Sequence, residues 1–145
     1  MNLRNTCVSL FLILLLGCAT RASSPGPETS YVATRFCGFV FDGRTSEARF
    51  SIDLLIERRL PAGTAVEASF ENPLDRDQPI VVMRELKGDE RELRILSTPV
   101  KGITQREYSM VVRVYSSRDK AKLLATRTES CRAPFAQGDM GVQYR

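Results

Sequence analysis

Histidine is absent from the 145 residues, and so is tryptophan. Without histidine, neither the Ser-His-Asp nor the Cys-His arrangement of nucleophilic catalysis can be assembled, and most zinc hydrolases are excluded with them. No G-x-S-x-G elbow, phosphate-cradling glycine loop or dinucleotide fingerprint occurs. No apolar run reaches the ~20 residues needed to cross a bilayer. A concentrated basic face, the footprint of a nucleic-acid partner, is not evident either. Of the 21 basic residues 17 are Arg, and they are scattered among 17 acids apart from the pair Arg58-Arg59. Scatter of this kind reads as solvated strand faces with cross-strand ion pairs. No cofactor is implied. Cysteine is scarce, at four residues.

What is present begins at the N-terminus. Arg4 supplies a positive start, and Cys7 to Leu16 is apolar except for Ser9. These are the first two regions of a secretory signal peptide. The run ends in Leu15-Leu16-Gly17-Cys18. That ending resembles the lipobox of bacterial lipoproteins: a large aliphatic residue, a small residue, then Cys. The resemblance implies that residues 1–17 are removed, that the Cys18 thiol carries a diacylglycerol, and that the new amine is, as is usual in such proteins, acylated, with palmitate the expected chain. Two or more chains give stable attachment where one gives only marginal binding. The membrane is then a partner through the lipid on Cys18. Ala19 follows the Cys where Asp would signal inner-membrane retention, so the resemblance favours the outer membrane, facing the periplasm or the cell surface. The alternative is an ordinary signal peptide cut near residues 20–24, with Ala19 and Ala22 as the small residues.

The mature chain, residues 18–145, suits one domain with a single core. Its charge is a mild surplus of +3 once Arg4 is removed. Ala19 to Ser30, rich in Ser, Pro and Gly, reads as a flexible tether. With Cys7 lost and Cys18 lipidated, Cys37 and Cys131 remain. In an oxidising compartment an even pair reads as a disulfide; two buried free thiols are the alternative. A zinc site is not expected from two Cys and no His. Closing a loop of about 94 residues stabilises by on the order of 4–5 kcal/mol in the chain-entropy model.

The pattern downstream is of strands. Tyr31 to Phe41 is rich in aromatic and β-branched residues. Ala48, Phe50, Ile52, Leu54 and Ile56 alternate with polar residues, with Leu55 the exception. This is a strand with one wet face. Val66 to Phe70, Ile80 to Leu86, Glu92 to Ser97, Tyr108 to Tyr115 and Ala121 to Cys131 complete seven. A helix over 84–95 is the rival reading, opposed by Gly88-Asp89 at its middle. Ala133 to Arg145 reads as an irregular, mobile tail.

Seven short strands separated by turn signals predict an all-β fold, a single antiparallel seven-stranded β-sandwich over residues 31–132. The pattern resembles the immunoglobulin-like or fibronectin-III-like class. It departs from antibody domains in having no Trp, and in placing its cysteines on the first and last strands. There they would staple the start of the domain to its end. Tyr108 falls where such folds carry a corner tyrosine bonded to upstream backbone; an ordinary core or edge Tyr is the other reading.

Nothing in the chain declares a catalytic constellation. Asp75-Arg76-Asp77 alternates carboxylates as a calcium loop does, but lacks that motif's Gly and distal Glu. Asp89, Glu90 and Glu92 read as an acidic solvated turn, and no carboxylate pair stands out for glycoside hydrolysis. Sandwich domains bind through end loops and edges. The longest inner loops are Asn72 to Pro79 and Pro99 to Gln105; Leu74 and Ile103 are their candidate partner contacts, with tucking back onto the core the commoner fate of such residues. The sequence therefore points to a lipid-anchored, non-catalytic binding or assembly module with an envelope protein as partner. A small envelope enzyme or inhibitor acting on an exported substrate is the alternative.

Overall fold

The clearest alternation in the sequence becomes the middle of the first sheet. In the computed structural model, which describes residues 30–42, 45 and 47–138, β2 (Glu47–Ile56) turns Ala48, Phe50, Ile52, Leu54 and Ile56 into the core. The signal segment, Cys18 and the tether up to residue 29 lie outside the described residues. β2 pairs antiparallel with β1 (Val32–Asp42) on one side and β5 (Glu92–Leu96) on the other. The second sheet has the order β4-β3-β6-β7, from β3 (Ala65–Phe70), β4 (Ile80–Glu85), β6 (Glu107–Tyr115) and β7 (Leu123–Arg132). The fold is an antiparallel seven-stranded β-sandwich of immunoglobulin-like type, three strands facing four. The helix considered over 84–95 does not form. Gly88 there adopts φ +99°, and the Leu86 N–H donates to the Thr64 carbonyl instead of to a helical turn.

β1 carries a break of phase. Val32 pairs with Ile56 and Thr34 with Leu54, but Phe36 then pairs with Asp53, so one extra residue is inserted at Arg35. Such a bulge shifts the side-chain alternation by one. Phe36 is thrown onto the outer face, and Cys37, Phe39 and Phe41 are turned inward to partly buried positions against the core. Phe39 lies 4.8 Å from Phe50, Phe50 stacks on Phe70 at 5.4 Å, and Tyr108 meets Phe39 and Phe50 edge-on at 5.5 and 5.6 Å. Four rings from β1, β2, β3 and β6 thus join the two sheets. Aromatic pairs of this geometry contribute about 0.5–1.5 kcal/mol each beyond their burial.

Tyr108 is the corner tyrosine. Its hydroxyl accepts the Thr104 N–H at 2.8 Å and donates to the Thr104 carbonyl at 3.2 Å. That bond fixes the crossing from β5 to β6.

Cys37 and Cys131 form a disulfide, with Cα atoms 5.8 Å apart. Position alone had set this pair apart from the inter-sheet cystine of antibody domains. The fold makes it an inter-sheet bond nonetheless, because β1 and β7 are edge strands of opposite sheets on the same side of the sandwich. It closes that side.

The expected tail is ordered where it is described. Residues 133–138 form no strand, but Ala133 is fully buried and Phe135 packs 4.8 Å from Phe41. Gln137 donates its N–H to the Ile103 carbonyl and its side-chain amide to Val100. An alanine and an aromatic ring give this segment apolar surface to bury, which a mobile tail would leave wet.

Candidate functional site

Antiparallel pairing sorts the connections into two poles. Ile56 lies opposite Val32, so the chain enters beside the β2–β3 loop, and Glu57 donates its N–H to the Tyr31 carbonyl. The β4–β5 and β6–β7 connections lie at this same N-terminal pole. The β3–β4 and β5–β6 loops and residues 133–138 lie at the opposite, distal pole.

The distal pole holds the two loops singled out in the sequence. Asn72 accepts the Leu74 N–H at 3.1 Å and donates to the Gln78 carbonyl at 3.1 Å. Asp75 caps the Asp77 N–H at 3.1 Å. These short-range bonds are what Asn and Asp supply in turns. They leave Leu74 projecting from the loop with 74% of its surface exposed. Beneath it lies Gly102 at φ +78°, where an added Cβ would come within 2.5 Å of a Leu74 methyl. Ile103 is a correction. It is only 2% exposed and belongs to the core, so it cannot be a partner contact as placed. Burying a branched side chain is worth about 1.5–3 kcal/mol, and the left-handed turn at Gly102 gives the chain the means to do it.

The two distal loops are tied together. The Glu71 carboxylate meets Arg76 at 3.0 Å, Arg106 at 2.8 Å and the Ser109 N–H at 3.0 Å. Burial works to raise its pKa, but the Ser109 N–H and Arg106 outweigh burial and hold it below its ordinary 4.5. Arg106 also lies over the Tyr108 ring, 3.8 Å from its centre. Asp75 and Asp77 are not gathered with a third carboxylate; among the described residues no three His, Cys, Asp or Glu converge on a metal position.

The N-terminal pole was not singled out in the sequence, yet it carries a cleft. Leu60 is buried and pins the β2–β3 loop. Gly63 donates to the Leu86 carbonyl at 2.9 Å, joining that loop to the β4–β5 turn. A Cβ on Gly88 would sit 2.9 Å from the Ala62 nitrogen, so only glycine allows the two backbones to meet. The Glu90 carboxylate accepts the Lys87 and Gly88 N–H groups at 2.8–2.9 Å; the Lys87 N–H in particular holds it below its ordinary 4.5. Between the loops opens a shallow cleft of about 560 Å³ bordered by Arg59, Pro61, Lys87 and Asp89. Arg91 borders a smaller cleft of about 240 Å³ beside it.

The chain matches no protein-family model and no curated protein sequence. It does resemble parts of solved structures. A Parabacteroides merdae β-glucuronidase crystal structure aligns over 71% of this chain at 13% identity with a TM-score of 0.47. A Bacteroides uniformis β-glucuronidase aligns over 71% at 15% identity with a TM-score of 0.44. In both cases this chain spans only 13% of the enzyme. At this level of likeness neither the activity nor the substrates of those enzymes transfer to it.

Charge is distributed unevenly. The strand faces bear the expected pairs: Arg94 grips Asp53 with two bonds of 2.7 Å, Arg113 meets Glu67 at 3.2 Å, and Arg35 meets Glu92. Glu67 is almost fully buried, and Lys120, held at φ +59° in the β6–β7 turn, brings its ammonium onto the same carboxylate. Six cations of the N-terminal pole differ from these pairs, as do Arg84 on β4 and Lys101 and Arg132 toward the distal pole. Arg58, Arg59, Lys87, Arg91, Arg118 and Lys122 are all exposed, and among the described residues none has a carboxylate at ion-pairing distance. Only Arg58-Arg59 was visible as a pair in the sequence. Three separate loops bring in the rest, so no local pattern announced them.

Proposed function

We propose that this chain is a lipid-anchored, non-catalytic binding or assembly module of the cell envelope, held through Cys18 in the outer membrane. It presents its distal pole to a protein partner. The observation that carries this reading is the polarity of the sandwich. The chain leading to Cys18 leaves from one pole, while Leu74 projects from stiffened loops at the other. A binding surface gains from loops ordered before contact, because the ordering cost is not charged to the complex.

A photo-crosslinking side chain at position 74 tests this directly. It is expected to trap one product of defined mass in intact cells, while the same group at the exposed Thr126 traps none. Leu74→Asp, with an unchanged thermal midpoint, is expected to abolish copurification of that product. No product at 74, or turnover of an envelope substrate that survives Leu74→Asp, would overturn the reading. Release of Cys18→Ser protein from the membrane fraction checks the anchor separately.

A further inference from the structure

We infer that the N-terminal pole is itself a membrane-contacting surface, whose unpaired cations seat against anionic lipid headgroups. The inference rests on the lipid-anchor reading of Cys18 and extends it from where the chain is held to how the domain stands. Its foundation is the contrast between the poles. Arg58, Arg59, Lys87, Arg91, Arg118 and Lys122 crowd three loops around the point where the chain enters. None of them is neutralised by a nearby carboxylate among the described residues. The same loops hold four acids. Of these, Glu90 and Asp119 accept bonds from their own turns, and Glu57 and Asp89 are exposed. The described distal loops, 71–79 and 97–106, balance Arg76, Lys101 and Arg106 against Glu71, Asp75 and Asp77. With unpaired Arg132 counted at the distal end, the larger positive surplus among the described residues still sits at the N-terminal end.

The surplus is small, and alone it gives weak attraction, since a Lys or Arg near an anionic membrane contributes about a fivefold factor in partitioning. A tether changes what weak attraction can do. Eleven residues separate Cys18 from Ser30, and no chain of that length can reach further than about 40 Å. Linking at such range gives an effective concentration in the millimolar regime. The pole never leaves the neighbourhood of the surface, so a modest preference suffices to orient it. Arg59, Lys87 and Arg91 border the clefts and are placed to receive headgroup phosphates. Seated this way, the sandwich stands end-on and Leu74 faces away from the lipid.

The test removes the anchor. The mature chain 18–145 carrying Cys18→Ser is mixed at low salt with vesicles of phosphatidylcholine alone, or with one third phosphatidylglycerol, and sedimented. Binding is expected only to the anionic vesicles, weakening as salt is raised. Arg59→Gln/Arg91→Gln is expected to lower partitioning by about 25-fold, from the fivefold factor per cation. Lys101→Gln/Arg132→Gln, an equal charge change at the distal pole, is expected to leave it near the parent value. Equal partitioning to both vesicle types, or equal losses in the two double variants, overturns the inference. Because no lipid is attached to the protein in this assay, its outcome is independent of what Cys18 carries. The mass of the native N-terminus decides the anchor on its own.

Discussion

Tyr108 shows how one atom can settle a connection. Its hydroxyl is the acceptor for the Thr104 N–H in a corner with the ring fully buried. Tyr108→Phe keeps the ring and removes that acceptor. The expected loss is about 1–3 kcal/mol, the cost of leaving a donor unsatisfied, read as a lower urea midpoint with an unchanged slope. Asp53 makes the second residue-scale prediction. The hydrogen bonds from Arg94 hold its carboxyl below the ordinary 3.8, and Glu71 is likewise held below 4.5. A carboxylate with a lowered folded pKa stabilises above its unfolded pKa and loses that contribution as pH falls through the folded one. With no histidine to titrate near neutrality, urea midpoints should be flat from pH 7 to about pH 5 and should fall below about pH 4.5. Asp53→Asn should start lower and fall less steeply. A midpoint that rises on acidification would contradict the pairing.

At the scale of the element, β1 is the informative strand. Its apolar residues do not follow one alternation from Val32 to Phe41, and the bulge at Arg35 explains why. Deleting Arg35 removes the extra residue and lets Phe36 follow Thr34 in unbroken alternation, so Cys37 stays opposite Ile52 on the inner face. The disulfide can still close. Thiol titration of the denatured mature chain carrying Cys18→Ser should find no free thiol in the parent or in the deletion; free thiols in the deletion would mean that the register of β1 is not the one described. Reducing the parent should lower its stability by on the order of 4–5 kcal/mol for this loop length, observed as a lower thermal midpoint. No change on reduction would mean that the β1–β7 edge holds without the bond. The seven strands themselves were legible because alternation and turn residues are local signals. The bulge was not, because it shows only against the partner register of β2.

Across the whole molecule, the two candidate contacts separate. Leu74→Asp alters an exposed side chain and should change stability by no more than about 0.5 kcal/mol while removing partner capture. Ile103→Asp buries an unpaired carboxylate among core residues and should prevent folding, detected as loss of the β-sheet dichroism signal. Both residues looked alike in sequence, as lone aliphatic residues in polar loops. Their fates parted because Gly102 turns the chain between them, a geometry visible only when the two loops are in place. The basic pole is also a property of the assembled molecule.

The sequence determined its own strands and the single pairing open to Cys37 and Cys131. Each is set by residues close in the chain or by simple counting. Only the folded structure decided which loops share a pole, that the cystine joins two sheets at their edge, that Ile103 turns inward, and that six dispersed cations come to one pole. These depend on packing between segments far apart in sequence, where the competition for buried apolar surface is settled by the whole sandwich and not by any stretch of it.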